Sequence, residues 1–217
     1  MLHDAPLIAV TAAPTCPRCF GPLHGPNVWS SAWRCDAHGD VMPFQAPLPP
    51  SDVAVGALRK SSVVPLWIPW PLPAGWLVTG FAEAGDERSG GRAGVVALSG
   101  PSLAHGPADM LLIAEEPGVG LGAAFAGLSG PDPGEGFDSG PPNAKVEVLG
   151  HPTPLWCVGA GSDRAVYAGE ALGNWLWAIA WPADAGCVIA LTDLSLLDLR
   201  DHDFDLPFGA FSPRLGG

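Results

Sequence analysis

The residues with the clearest chemistry are three cysteines and one histidine near the N-terminus. They form the pattern C-x2-C-x15-C-x2-H, with Cys16 and Cys19 as one pair and Cys35 and His38 as the other. Two intervening residues let a tight turn aim both side chains of a pair at one ion, and two such pairs are typical of a zinc ribbon. Three thiolates and a neutral imidazole complete a tetrahedral site without water. The spacing predicts one structural zinc per chain.

The residues around these ligands leave the role of the ribbon open. Trp29 and Trp33 lie between the two pairs, and we expect them to pack its small core. Iron also binds thiolates, but the histidine and the ribbon spacing favour zinc. Arg18 and Arg34 make a nucleic-acid-binding ribbon one alternative. Ribbons bind nucleic acids, proteins or neither, so the metal site alone does not indicate a function.

The charge balance excludes several classes of partner. The chain carries 22 acidic and 10 basic residues, a net charge of −12, and its only lysines are Lys60 and Lys145. A DNA-binding surface needs a basic stripe, which this composition does not supply. Anionic membrane surfaces repel such a chain for the same reason. We therefore expect neither DNA nor a membrane as the partner.

Three tryptophans in a proline-rich stretch, Trp67, Trp70 and Trp76, are candidates for a binding surface. Aromatic side chains in such a setting can line a groove for another protein or a small apolar ligand. An extended Pro/Trp strip more often crosses a sheet and seals its core, because a buried tryptophan removes a large apolar area from water. Both interpretations stay open at this point.

Acidic residues supply the candidates for acid–base chemistry. Glu115 and Glu116 precede the stretch Gly118–Ala123, which satisfies the pattern G-x-G-x-x-A of dinucleotide-binding loops. The two carboxylates would repel a pyrophosphate, so the competing interpretation is a glycine turn that packs a helix on a sheet. An enzyme with its site around Glu115–Gly122 is a second functional alternative. Glu170, in a predicted strand near Tyr167, is a further candidate.

The elements that must position these residues are predominantly short strands. The chain has 29 Gly and 25 Pro, yet 47% of its residues are hydrophobic, which indicates a globular, turn-rich fold. Apolar and aromatic segments between turn signals predict strands at Trp76–Glu83, Arg92–Ser99, Met110–Glu115, Lys145–Leu149, Leu155–Val158, Arg164–Ala171, Trp175–Trp181, Val188–Leu191 and Leu194–Leu199. One short helix is predicted at Leu121–Leu128. The fold class is α+β: a mainly antiparallel β-sheet body preceded by the zinc ribbon.

Composition also divides the chain. Residues 1–14 are expected to form a flexible tail and residues 15–45 the zinc ribbon. Residues 46–52 contain three prolines and are expected to form a stiff, extended linker. The β-rich body then occupies residues 53–217.

Several segments together resemble an uncharacterised actinobacterial family that carries an N-terminal zinc ribbon. Besides the ribbon, the resemblance rests on 67–76, 86–92, 115–122, 152–156 and 175–182. It covers nearly the whole chain and implies no reaction.

These observations favour a non-enzymatic function. We expect a zinc-binding protein that acts as an interaction or ligand-binding module, with another protein or a small apolar ligand as its partner. Five cysteines without a disulfide-type spacing, and no basic leader, favour the reducing cytoplasm. The sequence does not indicate an oligomeric state.

Overall fold

The computed structural model describes residues 13–104, 106–159 and 161–216. The tail expected over residues 1–14 lies outside the described residues except for 13 and 14. The N-terminal unit contains a small antiparallel sheet of two strands, β1 (Trp33–Cys35) and β2 (Gly39–Val41). The turn between them holds His38 and ends at Gly39, whose φ of 69° is one that glycine adopts at little cost.

The rest of the chain is built around one curled sheet of nine strands. In chain order they are β3 (Trp67–Pro69), β4 (Leu77–Asp86), β5 (Gly90–Pro101), β6 (Pro107–Glu115), β7 (Ala144–Val148), β8 (His151–Cys157), β9 (Ala165–Ala171), β10 (Asn174–Trp181) and β11 (Ser195–Asp198). Their order in the sheet is β3-β11-β7-β8-β9-β10-β6-β5-β4. All neighbours pair antiparallel except β7 and β11, which are parallel. The β-rich, mainly antiparallel character is confirmed.

The protein contains more helices than the sequence indicated. The described residues contain three short α-helices, α1 (Asp52–Ser61), α2 (Leu121–Ala126) and α3 (Cys187–Leu191), so the expectation of one short helix is wrong. The strand expected at Val188–Leu191 is also wrong, because those residues belong to α3. A 3-10 turn at Ala183–Gly186 leads directly into α3 and lets it bury Val188 and Ile189 against the sheet.

Helix α1 begins immediately after the proline-rich stretch. The Ser51 hydroxyl caps it by accepting a hydrogen bond from the Ala54 amide at 3.2 Å. Asp52 lies in the first turn and Arg59 in the last, which suits the helix dipole. The helix buries Ala54, Val55 and Leu58 on the sheet.

Both faces of the sheet are covered, and strand β10 shows how the sequence achieves this. Its side chains alternate, with Leu176 and Ala178 in one apolar cluster and Trp177 and Ile179 in the other. The first cluster includes α1 and α3, and we call its side the α1 face. The second includes α2 and an aromatic residue from the N-terminal unit, Phe44, and we call its side the ribbon face.

The segment expected to be a linker is extended, but it is paired with the body. Leu48 and Phe81 exchange backbone hydrogen bonds of 2.8 and 3.0 Å, and the Gln45 amide donates to the Glu83 carbonyl at 3.0 Å. Strand β4 is the last strand of the sheet, so its outer backbone groups need partners. Residues 43–48 supply them. The division of the chain into a ribbon over residues 15–45 and a body over residues 53–217 stays a prediction.

Candidate metal centre

The four predicted ligands lie together at one end of the N-terminal unit. The Sγ atoms of Cys16, Cys19 and Cys35 and a ring nitrogen of His38 all lie within 4.8 Å of one another. The first pair lies on a tight turn in which the Phe20 amide donates to the Cys16 carbonyl at 2.8 Å. Cys35 ends β1, and His38 lies in the turn that leads to β2. The cluster can therefore hold a metal ion.

Three distances between ligand atoms of the cluster fit one tetrahedral ion. Tetrahedral bonds of about 2.3 Å to sulfur and 2.1 Å to nitrogen separate two sulfurs by about 3.8 Å, and a sulfur from a nitrogen by about 3.6 Å. The structure has 3.8 Å between the sulfurs of Cys19 and Cys35. The Nδ1 atom of His38 lies 3.5 Å from the Cys16 sulfur and 3.6 Å from that of Cys35. These spacings are consistent with zinc.

The pKa values of the two buried cysteines shift in opposite directions. Burial raises the pKa of the Cys16 thiol to about 11. Burial opposes ionisation of Cys35 too, but hydrogen bonds from the Ala37 backbone and from His38 outweigh it and lower that pKa to about 6. A dication stabilises neighbouring thiolates directly. Because all four ligands come from protein side chains, such an ion has no open position for a substrate or water.

An aromatic cluster attaches the N-terminal unit to the ribbon face of the sheet. Phe20 follows Cys19 and lies 5.1 Å from Phe125 of α2 and 5.7 Å from Phe44, measured between ring centroids. Phe44 and Phe125 are 6.0 Å apart and nearly perpendicular, an arrangement that aromatic pairs favour. Sequence reasoning missed this cluster. The position of Phe20 directly after a ligand pair was its only signal.

Arg18 makes a second attachment. It lies between the cysteines of the first ligand pair, and its guanidinium donates to the carbonyl oxygens of Gly118 and Val119, the latter at 3.2 Å. Residues 118–119 belong to the loop between β6 and α2. The turn that carries two of the metal ligands is therefore bonded to the body.

Trp29 does not pack a ribbon core. Its side chain is 93% exposed, and the neighbouring Val28 is 91% exposed. The Asn27 side chain accepts hydrogen bonds from the amides of Trp29 and Ser30, which forms a turn at the tip of the loop. Trp33 is half-buried. The expectation that both tryptophans pack the core of this unit is therefore wrong for Trp29, since residues 15–45 bury few apolar side chains.

The three tryptophans of the proline-rich stretch lie in or against the core. Trp67 is 1% and Trp76 3% exposed. The Trp76 indole donates to the Pro101 carbonyl at 3.1 Å. Trp70 is half-buried and stacks on Phe204 with ring centroids 4.1 Å apart. Of these three tryptophans, Trp70 alone is partly exposed.

Glu115 ends β6 and is completely buried. Its carboxylate accepts hydrogen bonds from the Leu121 amide at 2.7 Å, the Gly122 amide at 3.2 Å and the Trp177 indole at 2.7 Å. Burial raises its pKa to about 7. Glu115 thus occupies the space at the start of α2 where a dinucleotide phosphate would have to lie.

Backbone conformation and close packing explain the glycines in the loop before α2 and in its first turn. Gly118 and Gly120 have φ values of 88° and 87°, which other residues rarely adopt. A Cβ on Gly122 would lie 2.3 Å from the Trp177 indole, so only glycine lets the helix approach the sheet. The G-x-G-x-x-A pattern is accounted for by turn geometry and close packing.

The structure does not bring the three acidic candidates together. Glu116 is half-buried and forms a salt bridge of 2.6 Å with Arg92. Glu170 is exposed on β9, and Trp175 of β10 stands between it and Glu115 in the sheet. Two strand spacings separate their backbones by roughly 10 Å. Glu115 is enclosed while Glu170 faces solvent, so they do not form a carboxylate pair.

Among the helices that the structure describes, none is both long and apolar enough to cross a bilayer.

Comparison with known proteins identifies a family and no activity. Residues 10–215 match the model of a family described as "Family of unknown function (DUF6758)". No curated protein and no solved structure matches the chain. Because the match covers almost the whole sequence, the chain belongs to this family of unknown function.

Proposed function

We propose that this protein is a zinc-binding interaction or ligand-binding module without catalytic activity. One structural zinc would fold residues 15–45 as a ribbon. The aromatic cluster of Phe20, Phe44 and Phe125 would then hold that ribbon on the sheet. The observation that carries the proposal is the agreement of the distances between ligand atoms with a tetrahedral zinc site.

The same geometry argues against a catalytic metal. A catalytic zinc needs a coordination position for water or substrate, and four protein ligands leave none. The enzyme alternative around Glu115–Gly122 loses support because every hydrogen bond to Glu115 satisfies a donor of the fold. The nucleic-acid alternative has exposed Arg34 in its favour and the charge of −12 against it.

We also propose that the protein is cytoplasmic and comes from an actinobacterium. All five cysteines are free thiols, including the exposed Cys157 and Cys187. A reducing compartment keeps such thiols unpaired and available to a metal. Eight arginines against two lysines suit a genome of high GC content.

Elemental analysis of the untagged full chain tests the metal. We expect one zinc per chain in the wild type. Cys35→Ser removes one buried ligand, so zinc should be lost from this variant. Cys157→Ser is the matched control, since Cys157 is an exposed thiol outside the cluster, and it should keep the zinc.

Two results would contradict the proposal. One is a wild-type chain that is folded over residues 15–45 and contains no metal. The other is equal zinc content in Cys35→Ser and the wild type. Replacement by cobalt adds an independent check, because tetrahedral cobalt with thiolate ligands has intense visible absorption that octahedral cobalt lacks.

A further inference from the structure

A polar cleft lies where the N-terminal unit meets the body. Three segments line it: the ribbon around Trp33 and Met42, the turn 86–92 between β4 and β5, and the loop 116–119 after β6. Its volume is about 530 Å³, within the range of small-molecule sites. Neither the metal cluster nor the buried Glu115 belongs to it.

The cleft also holds three carboxylates against its three arginines, and two of these carboxylates have hydrogen-bond partners within the protein. Asp86 accepts hydrogen bonds from the Arg88 amide and from the amide and hydroxyl of Ser89, at 2.9 to 3.1 Å. Glu116 is paired with Arg92. The third, Asp40, is an exposed residue of β2, where solvent and salt screen its charge as they screen that of the exposed Arg88.

The arginines of the cleft are less completely paired. Within the described residues, five of the eight arginines of the chain form salt bridges with carboxylates: Arg59, Arg92, Arg164, Arg200 and Arg214. Arg18, Arg34 and Arg88 form none. Arg18 and Arg88 both line this cleft, and they donate only to neutral backbone carbonyls, with 3.4 Å from Arg88 to the Ser31 oxygen.

This lack of pairing is unexpected in a chain with 22 acidic residues and 10 basic ones. Two guanidinium charges without carboxylate partners share one concave site. Arg18 already uses its Nε and Nη2 on backbone carbonyls, which leaves Nη1 for a ligand. Arg88 donates only through Nη1, so its Nε and Nη2 can form the fork that binds planar or tetrahedral oxyanions through two parallel hydrogen bonds. Beside them, Trp33, Val41 and Met42 add apolar surface for a flat or aliphatic group.

We propose that this cleft binds a small organic anion, with its carboxylate or phosphate group on Arg88 and Arg18 and its apolar part against Trp33. The inference rests on the proposed function in one respect, because a folded ribbon forms one wall of the cleft. It replaces the apolar ligand expected from the tryptophan stretch with an anionic one at a different place.

Nuclear magnetic resonance of the zinc-loaded, ¹⁵N-labelled full chain tests the site directly. The probes are phenyl phosphate, benzoate and the uncharged benzyl alcohol, each at up to about 10 mM, which detects binding as weak as millimolar. The reporters are the Trp33 indole N–H and the Arg88 Nε–H, assigned from their disappearance in Trp33→Phe and Arg88→Gln. We expect saturable shifts of both signals with at least one anion and none with benzyl alcohol.

Matched arginine variants distinguish the cleft from general charge attraction. Arg88→Gln should weaken binding of the anion about tenfold, as expected for loss of a charge-assisted hydrogen bond. Arg34→Gln removes an equally unpaired, exposed arginine of the ribbon that does not line the cleft, and it should leave the affinity unchanged. Tighter binding of phenyl phosphate than of benzoate would assign a phosphate ligand, and the reverse order a carboxylate.

Three outcomes would overturn the inference: no shift with either anion, equal shifts with benzyl alcohol, or equal weakening by Arg34→Gln and Arg88→Gln. Zinc content measured on the same samples separates the two proposals. Zinc present without anion binding contradicts only the cleft, whereas anion binding by a folded, zinc-free chain contradicts only the metal proposal.

Discussion

The N-terminal unit and the sheet differ in the number of buried apolar side chains that stabilise each of them. In residues 15–45, the buried hydrophobic side chains are Cys16, Cys35 and Phe44. Two of these are predicted metal ligands, and the third belongs to the shared aromatic cluster. The sheet buries apolar side chains on both faces. A unit with so small a core needs another source of stability, such as a metal.

The same difference separates the tryptophans. Trp29 in the N-terminal unit is 93% exposed, whereas Trp67 and Trp177 in the body are among its largest fully buried side chains. Residue type alone therefore does not indicate burial, since burial depends on whether enough neighbouring apolar surface exists.

Substitution of Trp67 should have the largest effect on the body. Trp67→Ala removes a buried indole from the α1 face, and we expect the free energy of unfolding to fall by about 3–5 kcal/mol. Trp29→Ala should change it by less than about 0.5 kcal/mol, because this side chain is exposed. Chemical denaturation of zinc-loaded proteins measures both.

A third variant sharpens that test. The Trp67 indole nitrogen has no hydrogen-bond partner among the described residues. Trp67→Phe therefore keeps much of the apolar packing and leaves no acceptor unpaired, so it should cost less than the alanine variant. Equal destabilisation by Trp29→Ala and Trp67→Ala would refute the contrast between the two regions.

The strands of the body from β4 to β11 could be predicted because their patterns are local, whereas β3 (Trp67–Pro69) was not predicted. In β10, tryptophan and aliphatic residues alternate between two buried faces, and the turn at 172–174 places it beside β9. The paired ligand spacing of the metal cluster is equally local. Both follow from positions a few residues apart, which a single sequence displays.

What could not be predicted depends on distant contacts. Helix α1 contains Gly56 and two valines, which are weak helix formers, and its burial against the sheet compensates for them. The apolar run Cys187–Leu191 is too short for its period to distinguish a strand from a helix. Arg18 and Arg88 line one cleft only because the N-terminal unit packs on the body, and no spacing in the sequence signals that packing.

Substitution of Glu115, on the ribbon face of the sheet, should have a smaller effect than substitution of Trp67. Its three hydrogen-bond partners are all donors, so the amide group of Glu115→Gln would place an N–H against at least one of them. Near pH 5 the buried Glu115 is protonated in the folded protein, but both of its oxygens can still accept hydrogen bonds, whereas an amide nitrogen cannot. We therefore expect the variant to lose about 1–3 kcal/mol in the free energy of unfolding at this pH. Because Gln has nearly the same shape, the packing against Trp177 should persist.

The pH dependence of this difference has a definite sign. Burial raises the pKa of Glu115 from 4.5 to about 7, so between these values the unfolded chain releases a proton that the folded protein retains. The wild type should therefore lose stability relative to Glu115→Gln as pH rises through this window, by at most about 3 kcal/mol. Denaturation of both proteins at several pH values measures the difference in stability. Loss of metal at low pH affects both equally, because both have the same predicted metal ligands. If instead the wild type gains stability relative to Glu115→Gln as pH rises, the hydrogen bonds to the ionised carboxylate outweigh the effect of burial on its pKa.

Hydrogen exchange of the full chain, with zinc and after its removal by a chelator, tests most directly whether the metal holds the N-terminal unit. The informative amides are those of Cys16, Phe20 and Arg34, each hydrogen-bonded within that unit. We expect them to lose their protection without zinc, while the amides of β5, β6 and β10 keep theirs. Unchanged protection of all three ribbon amides in the metal-free chain would contradict the account.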